Sequence, residues 1–409
     1  MAARTRNSSW MEDLDLKEEL QKYVRQGLKR DEILNFMVRD FDDYAWSLRT
    51  LDRRMRHFDI RYMNTDVTVE EVKSAVRKEL DGPGKLLGYR AMHNKIRQEY
   101  LLNVPRNLVH AVMFDLDPEG LETRCQTVKK GKTKGHFSTK GTKWVHSMDG
   151  HDKLMGYQNS TFPLAIYGSI NTASRKILWL KIWTGNSDPK RIGRWYLDYL
   201  YEERTIASHI RIIRGSETGI MATMHSYLHQ SNGDMNPFDT VIYGPSTSNQ
   251  IERWWKELHE RLEKYFKEQL AGLKGEGYYN PHDEVDRKVL SYFLIPVIQR
   301  QLDLFQETVW NSHRIRTQKN TVLPDGVPDH IYNFPEEYGL EECGKHVTEE
   351  QLRDVAQHSG VLQIDDDYIE AEFRAKCARI IPMPVEHHVE PAECAEAYKY
   401  LKRRYSQAV

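Results

Sequence analysis

From Lys143 to about Leu273 the chain changes its hydrophobic rhythm, and that change limits its architecture more than any other feature. Trp144 to Asp149 reads as an extended run. Phe162 to Ile170 and Ile177 to Trp183 are two more, rich in Ile, Leu and aromatic residues. Ser187-Asp188-Pro189 then caps a helix through Leu200. Ile210 to Ile213 is a fourth strand, Thr218 to Leu228 a helix, and Thr240 to Tyr243 a fifth strand. Asn249 opens a long helix to about Leu273, with Ile251, Trp254, Trp255, Leu258, Leu262 and Phe266 as a stripe at helical spacing. Three strands followed by helix, strand, helix, strand, helix predict an α/β fold built on a five-stranded mixed sheet.

Polar residues sit at three junctions of that pattern. Asp149 ends the first strand, Ser216 and Glu217 follow the fourth, and Glu252 lies near the start of the last helix. Phosphoryl-transfer sites that use paired Mg²⁺ ions need carboxylates converging from separate elements, because hard cations take oxygen ligands and must sit close together. Asp149 and Glu252 fit two such roles. The middle position does not: stepping back from Glu252 over 35 intervening residues reaches Ser216, where that chemistry wants Asp. Taken singly, a strand-end carboxylate and an acid in a helical first turn are ordinary, since the helix dipole favours the latter.

Before this stretch the chain reads as two small helical units and a basic linker. Leu16 to Arg25 and Asp31 to Val38 are two short helices, and Ser47 caps a third with Leu48, Leu51, Met55 and Phe58 inward. The opposite face of the third shows Arg49, Arg53, Arg54 and Arg56, the pattern of a helix-turn-helix module with a basic recognition helix. The bland alternative is a solvated arginine face. Thr68 to Glu71 forms a capping box for a second helical unit, continued by Tyr89 to Tyr100 and Arg106 to Leu116, with Asp117-Pro118-Glu119-Gly120 as its stop. A Lys/Gly/Thr-rich run follows, and its Lys129, Lys130, Lys132 and Lys134 suit phosphate neutralisation without sequence reading. The predicted organisation is therefore 1–66 helix-turn-helix-like, 67–123 a second such unit, 124–142 a basic linker, and 143–273 the α/β core. Residues 274–345 read as a helical extension and loop, and 346–409 as a C-terminal tail.

Composition narrows the classes. Net charge is −1, so basic residues matter by clustering and not in total. Four cysteines without CxxC or Cys/His ligand spacing give no structural zinc, and no apolar run of about 18 residues or apolar leader gives a membrane span or signal.

The residues also carry a resemblance. Met148-Asp149-Gly150-His151-Asp152-Lys153-Leu154, Asn186-Ser187-Asp188-Pro189, Tyr243-Gly244 with Ser246-Thr247-Ser248-Asn249-Gln250, Ile251-Glu252 with Trp254-Trp255, and Trp310-Asn311-Ser312-His313-Arg314 are similar to the integrase core-domain proteins. These are transposon-derived relatives of retroviral integrases and DDE transposases, and the resemblance covers roughly residues 15–345. It implies an RNase-H-like core, preceded by helix-turn-helix-like units and followed by a helical extension. It further implies DNA as partner, Mg²⁺ or Mn²⁺ as cofactor, no small-molecule substrate, a nuclear setting, and an Asp/Asp/Glu triad. Asp149 and Glu252 match its first and third members. The second does not carry over: the family's Arg-x-Asp-x-Gly-Thr-Glu-Asn is replaced by Arg214-Gly215-Ser216-Glu217-Thr218-Gly219. The expectation is a domesticated DNA-binding protein with an impaired metal site. An active recombinase with Glu217 in the middle role is the alternative, and homo-oligomerisation stays open.

Overall fold

The computed structural model describes residues 9–125, 139–244, 250–317 and 323–407. Its N-terminal part is helical: α1 (Leu14–Gln26), α2 (Arg30–Asp40), α3 (Leu48–His57), α4 (Val69–Asp81), α5 (Tyr89–Glu99), α6 (Arg106–Leu116) and α7 (Pro118–Cys125). Local chemistry sets the ends. The Asp13 carboxylate accepts the Leu16 N–H at 2.9 Å to start α1, and Gly27 at φ 73° ends it, a conformation that costs glycine little. Ser47 caps α3 through the Thr50 N–H. Asp117-Pro118 stops α6 as expected, but Pro118 at once opens α7, because a proline that cannot continue one helix is preorganised to start the next. Helices α1 to α3 share one apolar cluster around Leu16, Leu20, Ile33, Phe36, Met37 and Leu51, and Val327 and Phe334 join it from far along the chain. Helices α4 to α7 form a second cluster.

The strands are β1 (Gly141–Thr142), β2 (Val145–His151), β3 (Ala165–Asn171), β4 (Ile177–Trp183), β5 (Thr205–Ile206), β6 (His209–Ile212), β7 (Val241–Tyr243), β8 (Glu341–Glu342) and β9 (Lys345–His346). Five of them make a mixed sheet in the order β4-β3-β2-β6-β7. β2 and β4 each pair antiparallel with β3, while β6 runs parallel to both β2 and β7. α8 (Pro189–Glu203) and α9 (Gly219–Ser231) cover one face. α10 (Gln250–Leu258), a π-helical turn at His259–Glu263, α11 (Lys264–Gly275) and α12 (Glu284–Leu304) cover the other. Met148, Tyr167 and Trp179 point into the first layer and Ile166, Leu180 and Ile182 into the second, as period-two alternation requires. The result is the α/β sandwich of an RNase-H-like core with helical additions.

Two additions bear on the site's rigidity. α12 contains Pro296 and continues into a second π-helical stretch, Phe305–Asn311, that runs along the β4 edge. Amide side chains take the place of a further strand there. Gln299 accepts from the Ile182 N–H at 3.0 Å and donates to the Leu180 carbonyl at 2.9 Å. Gln306 donates to the Leu178 carbonyl at 3.3 Å, and Asn311 bonds both the N–H and the carbonyl of Ile177 at 2.8 Å. The second addition is the region after residue 340. β8 pairs with β1 and β9 with β5. α14 (Glu349–Ser359) packs in the α8/α9 layer, while α15 (Ala371–Ala378) and α16 (Cys394–Gln407) pack in the α11/α12 layer. No helix among the described residues is long and apolar enough to cross a membrane.

Candidate functional site

Asp149 lies on β2 with 8% of its surface exposed, directly opposite Gly168 of β3. Glu252 sits in the first turn of α10, whose apolar stripe Ile251, Trp254, Trp255 and Leu258 is buried against the sheet. The Gln250 N–H donates to the Ser147 hydroxyl at 3.3 Å and so pins the start of α10 to β2. This packing brings the two carboxyl groups close enough to share a hydrogen bond. Burial first, and then the charge and hydrogen bond of Glu252, push Asp149 up to about 8. A buried carboxyl facing another carboxylate keeps its proton longer than an exposed one, because neither solvent nor a cation offsets its charge.

Asp149 has a second neighbour that sequence reading missed. The Trp255 indole N–H donates to its Oδ2 at 3.4 Å. The indole fits because Gly168 has no side chain: a Cβ there would lie 3.0 Å from the Trp255 ring and 2.7 Å from Leu180. The indole also stacks on His151, with ring centroids 4.6 Å apart and planes 16° from parallel. His151 Nε2 contacts Glu263 Oε2 at 2.8 Å, and His259 Nδ1 contacts the same oxygen at 3.3 Å. Burial alone would raise Glu263, but hydrogen bonds from the two histidines outweigh it and hold the carboxyl below its ordinary range.

The middle position is different. Ser216 opens a short 3₁₀ turn after β6 and is exposed. Glu217 is half-buried, and its carboxylate folds back over its own backbone; a Cβ on Gly215 would lie 2.1 Å from a Glu217 oxygen. Among the described residues, no group of three or more His, Cys, Asp or Glu side chains has an arrangement that could hold a metal ion. Asp149 and Glu252 are hard oxygen donors of the kind a divalent cation takes, and are the two residues that could hold one here. The described residues do not supply the third carboxylate of a two-ion clamp.

Other sequence candidates have structural duties. Asp152 accepts from Asn186 at 2.6 Å and from Asn159 at 2.9 Å, tying the turn after β2 to the start of α8. Asp188 caps α8 through the Lys190 N–H at 2.9 Å. His146 is buried, and loss of solvent together with the Lys143 charge depresses it to about 3.

Of the four α3 arginines, Arg49, Arg53 and Arg56 are exposed, whereas Arg54 is 3% exposed. That placement corrects the expectation of a DNA-facing Arg54. Its guanidinium lies 4.0 Å from the Trp46 ring centre, 5.1 Å from Tyr44 and 5.3 Å from Trp10, inside a box of aromatics. The α3 arginines belong to the N-terminal cluster and not to the packing around Asp149. Lys129, Lys130, Lys132 and Lys134, like residues 245–249 of the loop before α10, lie outside the described residues. Arg314, part of the basic exit from the second π-helical stretch, makes a bidentate pair with Glu32 of α2 at 2.8 and 2.6 Å. Arg253 and Lys256, exposed on α10 beside Glu252, are basic residues the sequence reading passed over.

The sequence pattern of the integrase core domain family matches residues 137–331, just under half of the chain. None of the curated proteins matches it. The matched span runs from β1 into α13 (Pro328–Asn333) and holds the whole five-stranded sheet, Asp149, Ser216 and Glu252. With that sheet order and its two helical layers, residues 137–331 carry an integrase core domain with an RNase-H-like fold.

Proposed function

We propose that this protein is a domesticated DNA-binding member of the integrase and transposase group that works in the nucleus with an impaired metal centre. The family implies nucleic-acid binding, and integrase core domains generally use divalent metal ions. The observation that carries the reading is the incomplete acid set: a buried Asp149 meets a half-buried Glu252, while an exposed Ser216 stands where a second aspartate belongs. When bound, Mg²⁺ or Mn²⁺ would supply Lewis-acid stabilisation of phosphate oxygens at Asp149 and Glu252. A serine hydroxyl brings neither the charge nor the donor strength of a carboxylate, so the pair would hold one ion without a partner for the leaving oxygen.

DNA contact is assigned to Arg49, Arg53 and Arg56 of the helix-turn-helix-like region 1–66, and to Lys129, Lys130, Lys132 and Lys134 of the linker. The region 67–123 serves as a second such module. A second reading, an active recombinase using Glu217, has one observation in its favour. The buried Tyr167 hydroxyl, which has no hydrogen-bond partner among the described residues, feels the charges of both Asp149 and Glu217.

Metal-dependent cleavage and strand transfer on labelled DNA test these readings in wild type, Glu252→Gln and Ser216→Asp. The expected result is DNA binding without chemistry in wild type and a gain of activity in Ser216→Asp. Wild-type activity that disappears in Glu252→Gln would replace the first reading by the second.

A further inference from the structure

We propose that Trp255 is a positioning residue for Asp149, held in place by a buried brace of His151 and Glu263. The inference rests on Asp149 and Glu252 being a cation-binding pair, as argued above. A ligating carboxylate left to rotate offers several geometries, and partners outside the metal's own shell select one. Here the indole N–H engages one oxygen of Asp149 and leaves the other free of the indole.

Each further member has a feature that a merely apolar core would not need. Gly168 interrupts a strand whose seven residues are all buried, and it does so at the residue paired with Asp149, where the indole lies against the sheet. His151 covers the indole ring in near-parallel stacking. Glu263 is 1% exposed and has no lysine or arginine partner among the described contacts; it is held by His151 and His259 alone. Its Oε1 is buried without a hydrogen-bond partner among the described residues, which is the cost of placing a charge at that depth. Glu263 closes the π-helical turn that follows α10, a device that recurs at functional sites. Leu or Phe at these positions would fill the same volume without a buried charge. A chain of hydrogen bond, stack and hydrogen bond from Glu263 to Asp149 gives the charge a purpose, because it fixes the indole plane and with it the carboxylate.

Two measurements on the full chain test this. Protein labelled with ¹⁵N-tryptophan is titrated with Mg²⁺, and the Trp255 indole N–H resonance is identified by its loss in Trp255→Phe. Mn²⁺ affinity is measured by electron paramagnetic resonance for wild type, Glu252→Gln, Trp255→Phe, Gly168→Ala and Glu263→Gln. We expect the indole resonance to shift with Mg²⁺ in wild type and to stay still in Glu252→Gln. Removing a partner of a ligating group costs roughly 10- to 100-fold in metal affinity, and Trp255→Phe should fall in that range. Gly168→Ala and Glu263→Gln should weaken binding in the same direction, and they carry the test if Trp255→Phe does not fold. Mn²⁺ binding that depends on Glu252 but is unchanged in Trp255→Phe, or in both other variants, overturns the brace and leaves the acid pair standing. No Glu252-dependent Mn²⁺ binding in wild type overturns the acid pair and the brace together.

Discussion

Replacing Asp149 by Asn is expected to stabilise the metal-free protein at and above neutral pH. The Asp149 carboxyl is lifted from its ordinary 3.8 to about 8, by burial first and then by Glu252. A group that holds its proton longer in the folded chain than in the unfolded one contributes stability below the ordinary pKa. That contribution is lost as pH rises toward the folded value. The difference between 8 and 3.8, at about 1.4 kcal/mol per pH unit, sets a ceiling of about 6 kcal/mol on the loss. Carboxylates that can turn toward solvent or admit water recover part of it, so about 2 to 3 kcal/mol is expected at pH 8. Asparagine keeps the volume, and its carbonyl can still accept the Trp255 N–H. Urea unfolding in EDTA at pH 5 and pH 8 reads the effect. Wild type should lose more stability between the two than Asp149→Asn, and Mg²⁺ at pH 8 should restore wild type alone. Parallel pH dependence in the two proteins would refute the reasoning, because it would mean that Asp149 is not held against its charge.

Three further outcomes follow from the packing. Asn311→Leu should speed amide exchange at Ile177 by about 100-fold, since a buried N–H and carbonyl each lose a partner worth roughly 1 to 3 kcal/mol; Gln306→Ala, with one longer bond to Leu178, should do far less. Arg49→Ala should weaken DNA binding and lower its salt dependence by about one charge without moving the melting temperature, whereas Arg54→Ala should lower the melting temperature by opening its aromatic box. Acidification should destabilise the core, because burial depresses His146 to about 3. The stability it contributes is complete above the ordinary 6.5 and falls as pH drops toward the folded value, so His146→Phe should flatten the acid limb of a pH-stability curve.

Much of this was legible in the residues because the period of burial is written in the chain. The runs of Ile, Leu and aromatic residues in β3 and β4 gave the strands, and the Ile251, Trp254, Trp255, Leu258 stripe gave the last helix, whose first turn holds Glu252. Arg54 was misplaced for a definite reason. A helical wheel sees its own helix, and the ring systems that enclose Arg54 come from Trp10, ahead of α1, and from Tyr44 and Trp46 in the loop before α3. The brace was hidden by distance in sequence, since His151 and Glu263 are 112 residues apart. Gly168 was its one local sign, a glycine where strand packing favours a branched side chain. The segment after residue 340 gave no periodic warning, because its strands are two residues long and take their stability from β1 and β5.

The amides that line the β4 edge carry a lesson for anyone dividing this protein. A piece that ended near residue 273, where the last core helix stops, would keep all five strands of the sheet and lose Gln299, Gln306 and Asn311 together. The backbone groups of Ile177, Leu178, Leu180 and Ile182 would then face outward as an open row of donors and acceptors, ready to pair with another chain. Such a fragment is expected to associate edge to edge, so a piece that keeps this edge covered has to run past Asn311.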